Sequence, residues 1–125
     1  MSKAYWIVRV SVQDAARYPE YLAAAKPAFE KYGARFLVRG GASAVLEGRG
    51  RDRNVVVEFA DRTTAQACYD SPEYSAAKTI RQAAAETDFV IPEGVDSGVD
   101  NANPAGGGPK PWPDPAFRPV FSRYY

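Results

Sequence analysis

The sequence predicts one α+β domain of the split βαβ, or ferredoxin-like, kind, followed by a Pro/Gly-rich C-terminal tail. Three observations carry that expectation. Residues alternate between two faces from Ala4 to Val12, a helical spacing follows at once, and later strand and helix signals complete the order β-α-β-β-α-β.

In the first strand Trp6, Val8, Val10 and Val12 point one way while Tyr5, Ile7, Arg9 and Ser11 point the other, so both faces are in use. Asp14 can cap the next element. There Tyr18, Leu22, Ala25, Phe29 and Tyr32 recur at spacings of four and three, which is one face of a helix. Gly33 suits its C-terminal cap. Pro27, inside the helix, removes one backbone hydrogen bond and should bend the axis.

Strand-like segments then run from Arg35 to Arg39, Ala42 to Glu47 and Asn54 to Phe59, the last two separated by the polar turn GRGRDR. The run Arg39-Gly40-Gly41 fits a kink in the second strand. Glycine permits a positive φ or a close backbone approach, so the strand can bulge and re-aim a neighbouring side chain. A Gly-Gly hairpin is the competing local reading, and it would add a strand and spoil the split βαβ count.

Asp61 caps a helix that breaks at SPEY and restarts, with Ser71 as N-cap, Pro72 at the first helical position and Glu73 near the positive end of the dipole. The alanine-rich second piece runs to about Ala85, with Ile80 on its apolar face. Thr87 to Ile91 forms a last short strand closed by Pro92.

Helices on one side of such a sheet leave the other side open. The helix-facing set is Trp6, Val8, Val10, Phe36, Val38, Val55, Val57, Phe59, Phe89 and Ile91. The opposite face carries Ile7, Arg9, Leu37, Arg39, Val56, Glu58, Asp88 and Val90, too apolar for water and too charged for an ordinary core. A homodimer formed through the sheet face resolves the conflict, burying the aliphatics and leaving the charges around an enclosed cavity.

Composition narrows the chemistry. Sixteen Lys and Arg against fifteen Asp and Glu give a net charge of +1, without the basic field that captures nucleic acid. The N-terminal apolar run is too short and interrupted for a signal or membrane helix, and a single cysteine, Cys68, allows no internal disulfide; a cytoplasmic protein is expected. Cys68 reads as a small packing hydrophobe. The chain has no histidine, which removes Ser/His/Asp and Cys/His nucleophiles, histidine-ligated haem and imidazole zinc sites. Carboxylate, tyrosine, arginine and lysine chemistry remains, with no cofactor expected.

Within those limits Arg9, Arg39 and Glu58 are the candidates on the open sheet face. The arginines can clamp an anion in a bidentate fork, and Glu58, poorly solvated, can serve as acid or base. The competing structural reading is that Arg39 and Glu58 neutralise one another. Tyr69 and Tyr74 flank the helix break and could direct hydroxyls toward a pocket mouth, Tyr69 as a catalytic group beside Glu58 and Tyr74 as a ligand contact beside the arginines. Buried tyrosines otherwise anchor packing through one hydrogen bond. Glu47 reads as an exposed strand-end charge, and no phosphate-cradling loop is present.

YWIVRVSV at the start, KYGARFLVRGG leading into VLEG, VVVEF, YDSPEY and AAETDFVIPEGV together resemble a family catalogued as domain of unknown function 1330, within the dimeric α/β barrel superfamily. The resemblance covers residues 3 to 95. It implies a ferredoxin-like subunit that dimerises through its sheet, and relatives that range over cofactor-free monooxygenases, haem enzymes, isomerases and ligand sensors. The domain is accordingly placed at 1–95. Residues 96–125, Gly- and Pro-rich with Trp112, Phe117, Phe121, Tyr124 and Tyr125, form an extended tail expected to dock on the neighbouring subunit.

Two functions remain in view. One is a homodimeric small-molecule binder or cofactor-independent enzyme for a small organic, possibly acidic, ligand. The other is a non-catalytic interaction module whose aromatic tail docks a partner protein. Neither nucleic acid nor membrane is an expected partner.

Overall fold

The computed structural model describes residues 2–95, and the expectations for the tail lie outside the described residues. β1 (Ala4–Val12) pairs antiparallel with β3 (Arg53–Phe59) on one side and with β4 (Ala85–Val90) on the other. β2 (Arg35–Arg39) adds to β3, giving the sheet order β2-β3-β1-β4. Three helices, α1 (Tyr18–Lys31), α2 (Arg62–Asp70) and α3 (Pro72–Ala84), complete the element order of a ferredoxin-like α+β fold, with the expected second helix broken in two.

The alternation read in β1 and β3 sets the core. Trp6 stands opposite Val57 and Val8 opposite Val55, all four buried, while Ile7 and Val56 face each other on the open side. Trp6 meets Phe59, Tyr74 and Phe89 at ring-centroid distances of 4.9 to 5.0 Å, and its indole N–H donates to the Ala65 carbonyl at 3.0 Å, tying β1 to α2.

The helix signals act as expected at two starts. Asp61 accepts from the Thr64 amide at 2.7 Å, and Ser71 accepts from the Tyr74 amide at 3.1 Å with Pro72 behind it. Asp14 works one turn early. Its carboxylate accepts from the Ala16 and Arg17 amides and its carbonyl from Tyr18, so Arg17 and not Asp14 is the residue before α1. Pro27 lies on the exposed side of α1, where a freed carbonyl can reach water.

Three sequence expectations are corrected. Ala42 to Glu47 is no strand: residues 40–52 form a loop that begins at Gly40, whose φ is 72° and whose amide donates to Asn54 at 2.8 Å. The kink itself falls before the glycines. Phe36 pairs with Val57 and Val38 with Val56, so Leu37 is an extra residue and both Leu37 and Val38 oppose Val56. Val38 therefore joins the open face, and Arg39, opposite Val55, moves to the helix side. Finally, β4 starts at Ala85, not Thr87, because α3 runs into it with no loop while the Gln13 and Asp14 amides donate to the Ala84 carbonyl.

Candidate functional site

Between α1 and the sheet lies a cavity of about 330 Å³. β1 and β3 supply its floor through Trp6, Val8, Val10, Val55 and Val57, and α1 supplies Tyr18, Tyr21, Leu22 and Phe29. Apolar walls of this kind come from the two periodicities read above, which turn the same faces toward each other. Phe36 and Arg39 close the β2 side, with the Arg39 guanidinium 4.4 Å above the Phe36 ring.

The charged groups on the wall are unequal in sign. Arg39, Arg53 and Lys26 are cationic, and Glu30 is the one carboxylate among the described lining residues. Arg53 shares the buried phase of β3 with Val55, Val57 and Phe59 and is only 2% exposed. Because Arg39 pairs with Val55, Arg53 is its diagonal neighbour on the same face, a relation that places Cα atoms roughly 7–8 Å apart. Two guanidinium groups thus border one cavity from adjacent strands. Such a pair can hold a carboxylate by charge and by forked hydrogen bonds.

Deeper lies a tyrosine–arginine network. The Tyr21 and Tyr74 hydroxyls are 2.7 Å apart, and Arg81 Nη1 donates to Tyr74 at 2.7 Å. Arg81 is 4% exposed and makes no ion pair among the described residues; it is faced instead by the rings of Tyr21, Tyr74 and Phe89. Burial, with the neighbouring Tyr21, pushes the Tyr18 hydroxyl up to about 12 against the opposing pull of Arg53. Burial likewise raises Tyr21 and Tyr74 above the ordinary tyrosine range. All three are neutral hydrogen-bonding groups at physiological pH.

The residues singled out in the sequence are divided by this geometry. Arg39 lines the cavity, although the expectation that it shares a face with Arg9 and Glu58 is corrected by the bulge. Glu58 lies on the open face and pairs with Lys3 at 3.2 Å and Arg35 at 4.0 Å, so the expected Arg39–Glu58 ion pair is absent among the described contacts. Arg9 donates to the Arg49 carbonyl at 3.1 Å and fastens the loop of residues 40–52 over the open face. Arg51 does the same from the loop side, to Asp88 at 2.8 Å and Ser11 at 2.9 Å. Tyr69 packs against Phe89 under the Lys78 ammonium, outside the cavity. Tyr74, expected at a pocket mouth, is fully buried. Sequence reasoning missed Arg53 and Arg81. Their signal was positional: Arg53 is in phase with the valines of β3, and Arg81 lies four and seven residues after the buried Ala77 and Tyr74 of α3.

Among the described residues no group of acidic or cysteine side chains could hold a metal ion, and no helix is long and apolar enough to cross a membrane.

Comparison with known proteins places the fold. Residues 3–95 match the family described as Domain of unknown function (DUF1330). Among solved structures, the RPA0582 protein of unknown function from Rhodopseudomonas palustris superposes with a TM-score of 0.64 at 18% identity, covering 76% of this chain and 84% of its own. SnoaB, a cofactor-independent oxygenase from Streptomyces nogalater, superposes with a TM-score of 0.50 at 13% identity, covering 80% of this chain and 100% of its own. No curated protein matches the sequence. At these identities the likeness is one of fold alone.

Proposed function

The chain belongs to the DUF1330 family, a membership that fixes a fold and leaves the chemistry to the site, and on that premise we propose that it is a homodimeric protein that holds a small organic acid in the cavity between α1 and the sheet. The observation that carries this reading is the juxtaposition of Arg39 and Arg53 on the wall of a mainly aromatic and aliphatic cavity whose other charged groups are Lys26 and Glu30. Two guanidinium groups offer an anion charge and forked hydrogen bonds, while Phe29, Phe36 and Trp6 favour an apolar, preferably planar, body on the ligand. The cavity belongs to one subunit, on the other side of the sheet from the space expected between two copies. Glu58 and Tyr69, outside it, take no part in binding.

The homodimer rests on the open face, where Ile7, Leu37, Val38 and Val90 are exposed beside Val56. The bulge strengthens this argument, since it adds Val38 to the apolar set and takes the charge of Arg39 off that face.

The experiment is a thermal melt of the full chain and of Arg39→Ala against a panel of aromatic and aliphatic carboxylates. Wild-type protein should gain stability with aromatic acids, and Arg39→Ala should lose that gain while melting near the wild-type temperature without ligand. A wild type that no carboxylate stabilises would overturn the reading.

A further inference from the structure

The hydroxyls of Tyr21 and Tyr74 lie 2.7 Å apart, and Arg81 reaches both, donating to Tyr74 at 2.7 Å. A guanidinium donates and never accepts. Arg81 therefore occupies a lone pair on the Tyr74 oxygen, and the hydrogen of Tyr74 is left with a single acceptor, the oxygen of Tyr21. The reverse arrangement, with Tyr21 donating, would strand the Tyr74 hydrogen in a fully buried position without an acceptor, which folded proteins avoid. The direction is thus fixed: Arg81 donates to Tyr74, and Tyr74 donates to Tyr21.

The hydrogen of Tyr21 is then uncommitted within the network. Tyr21 is itself part of the cavity wall. The geometry points to the Tyr21 hydroxyl as a hydrogen-bond donor to a ligand oxygen in the cavity, with Tyr74 and Arg81 as the positioning residues that set its direction. The charge at the head of the chain polarises each hydroxyl in turn, so Tyr21 donates more strongly than an isolated phenol. This inference rests on the cavity's binding an organic acid and narrows that acid's class. Its carboxylate faces Arg39 and Arg53, and it carries a second acceptor, of the carbonyl type, that reaches Tyr21.

An isosteric pair of probes separates this from simple hydrophobic fit. In titration calorimetry of the full chain, 4-acetylbenzoate should bind roughly 3- to 10-fold more tightly than 4-isopropylbenzoate, the range expected from one net hydrogen bond. Tyr21→Phe keeps the ring and should bring that ratio to about one; Tyr74→Phe, which removes the hydroxyl that donates to Tyr21, should reduce it. The positioning role has a second readout. Isotope-edited infrared spectra should show the acetyl carbonyl stretch of the bound probe lowered in wild type and less so in Tyr74→Phe. An unshifted carbonyl in the wild-type complex, or a ratio that survives Tyr21→Phe, overturns the inference even though benzoate binds. If benzoate and both probes fail to bind wild type, the organic-acid reading falls and this inference with it.

Discussion

Arg39 stands opposite Val55 in the β2–β3 ladder, one step out of the register that begins with Phe36 opposite Val57. That single step decides which side of the sheet receives the arginine. The extra residue is Leu37, so removing it should leave Val38 opposite Val56 and Arg39 still facing the cavity. A Leu37 deletion is therefore expected to fold and to keep benzoate-dependent thermal stabilisation within about threefold in affinity, a change worth less than ~1 kcal/mol. Loss of binding in a folded deletion protein would place the bulge elsewhere.

Val56 lies at the centre of the open apolar patch, beside Ile7 and opposite both Leu37 and Val38. Wild-type protein should run as a dimer in light scattering at micromolar concentration. Val56→Lys should run as a monomer, since a dry interface does not accept an unpaired ammonium. A wild-type monomer under those conditions removes the dimer from the account.

Trp6 joins packing and hydrogen bonding at one position, with Phe59, Tyr74 and Phe89 around its ring and Ala65 accepting from its N–H. Trp6→Phe leaves a gap in a 1%-exposed site and deletes a buried hydrogen bond. The expected loss in urea unfolding is about 1–3 kcal/mol. A loss below about 0.5 kcal/mol, the level of an ordinary surface change, would contradict the packing described.

Alkaline stability follows from the buried tyrosines. The folded protein holds the Tyr18 proton up to about 12, against an ordinary value of 10.0, chiefly through burial. Tyr21 and Tyr74 shift in the same direction. A raised pKa means that the folded state binds the proton more tightly than the unfolded chain does. The stabilisation is complete below pH 10 and is lost as the pH climbs toward 12. Tyrosinate absorbance followed beside circular dichroism should show a late group of tyrosines that ionises together with unfolding. Titration of every tyrosine near pH 10 with the fold intact would be the contrary result.

Much of this fold is legible in the sequence, for physical reasons that differ by element. β1 and β3 could be read because each has one face of aromatic and branched residues in strict alternation, and the breaks at Asp61 and Ser71 because their side chains bond specific amides. The bulge left no such mark. An inserted residue changes the phase of a strand without changing its composition, so RFLVR reads equally well in either register, and Val38 and Arg39 were assigned to the wrong faces. Ala42 to Glu47 has strand-forming residues but, beyond a single bridge at Ser43, forms no ladder among the described residues. In the site, Arg39 was visible as a charge out of place. Arg53 and Arg81 were not, because their charge argued for the surface while their phase argued for the core, and phase prevailed. Tyr74 was expected to open onto solvent; the alanines at Ala77 and Ala84 instead let α3 approach closely enough to bury it.

β2 is one of the two edge strands of the sheet, and its outer side has no ladder partner among the described residues, an edge that another polypeptide could extend. The surplus residue at Leu37 disrupts the even spacing such an addition requires and adds twist, and Arg35 and Arg39 put charge on either side of it. The irregularity that delivers an arginine to the cavity thus makes this margin a poor template for cross-strand growth. The dimer proposed for the flat surface would close after two copies, whereas addition along the rim could propagate without limit.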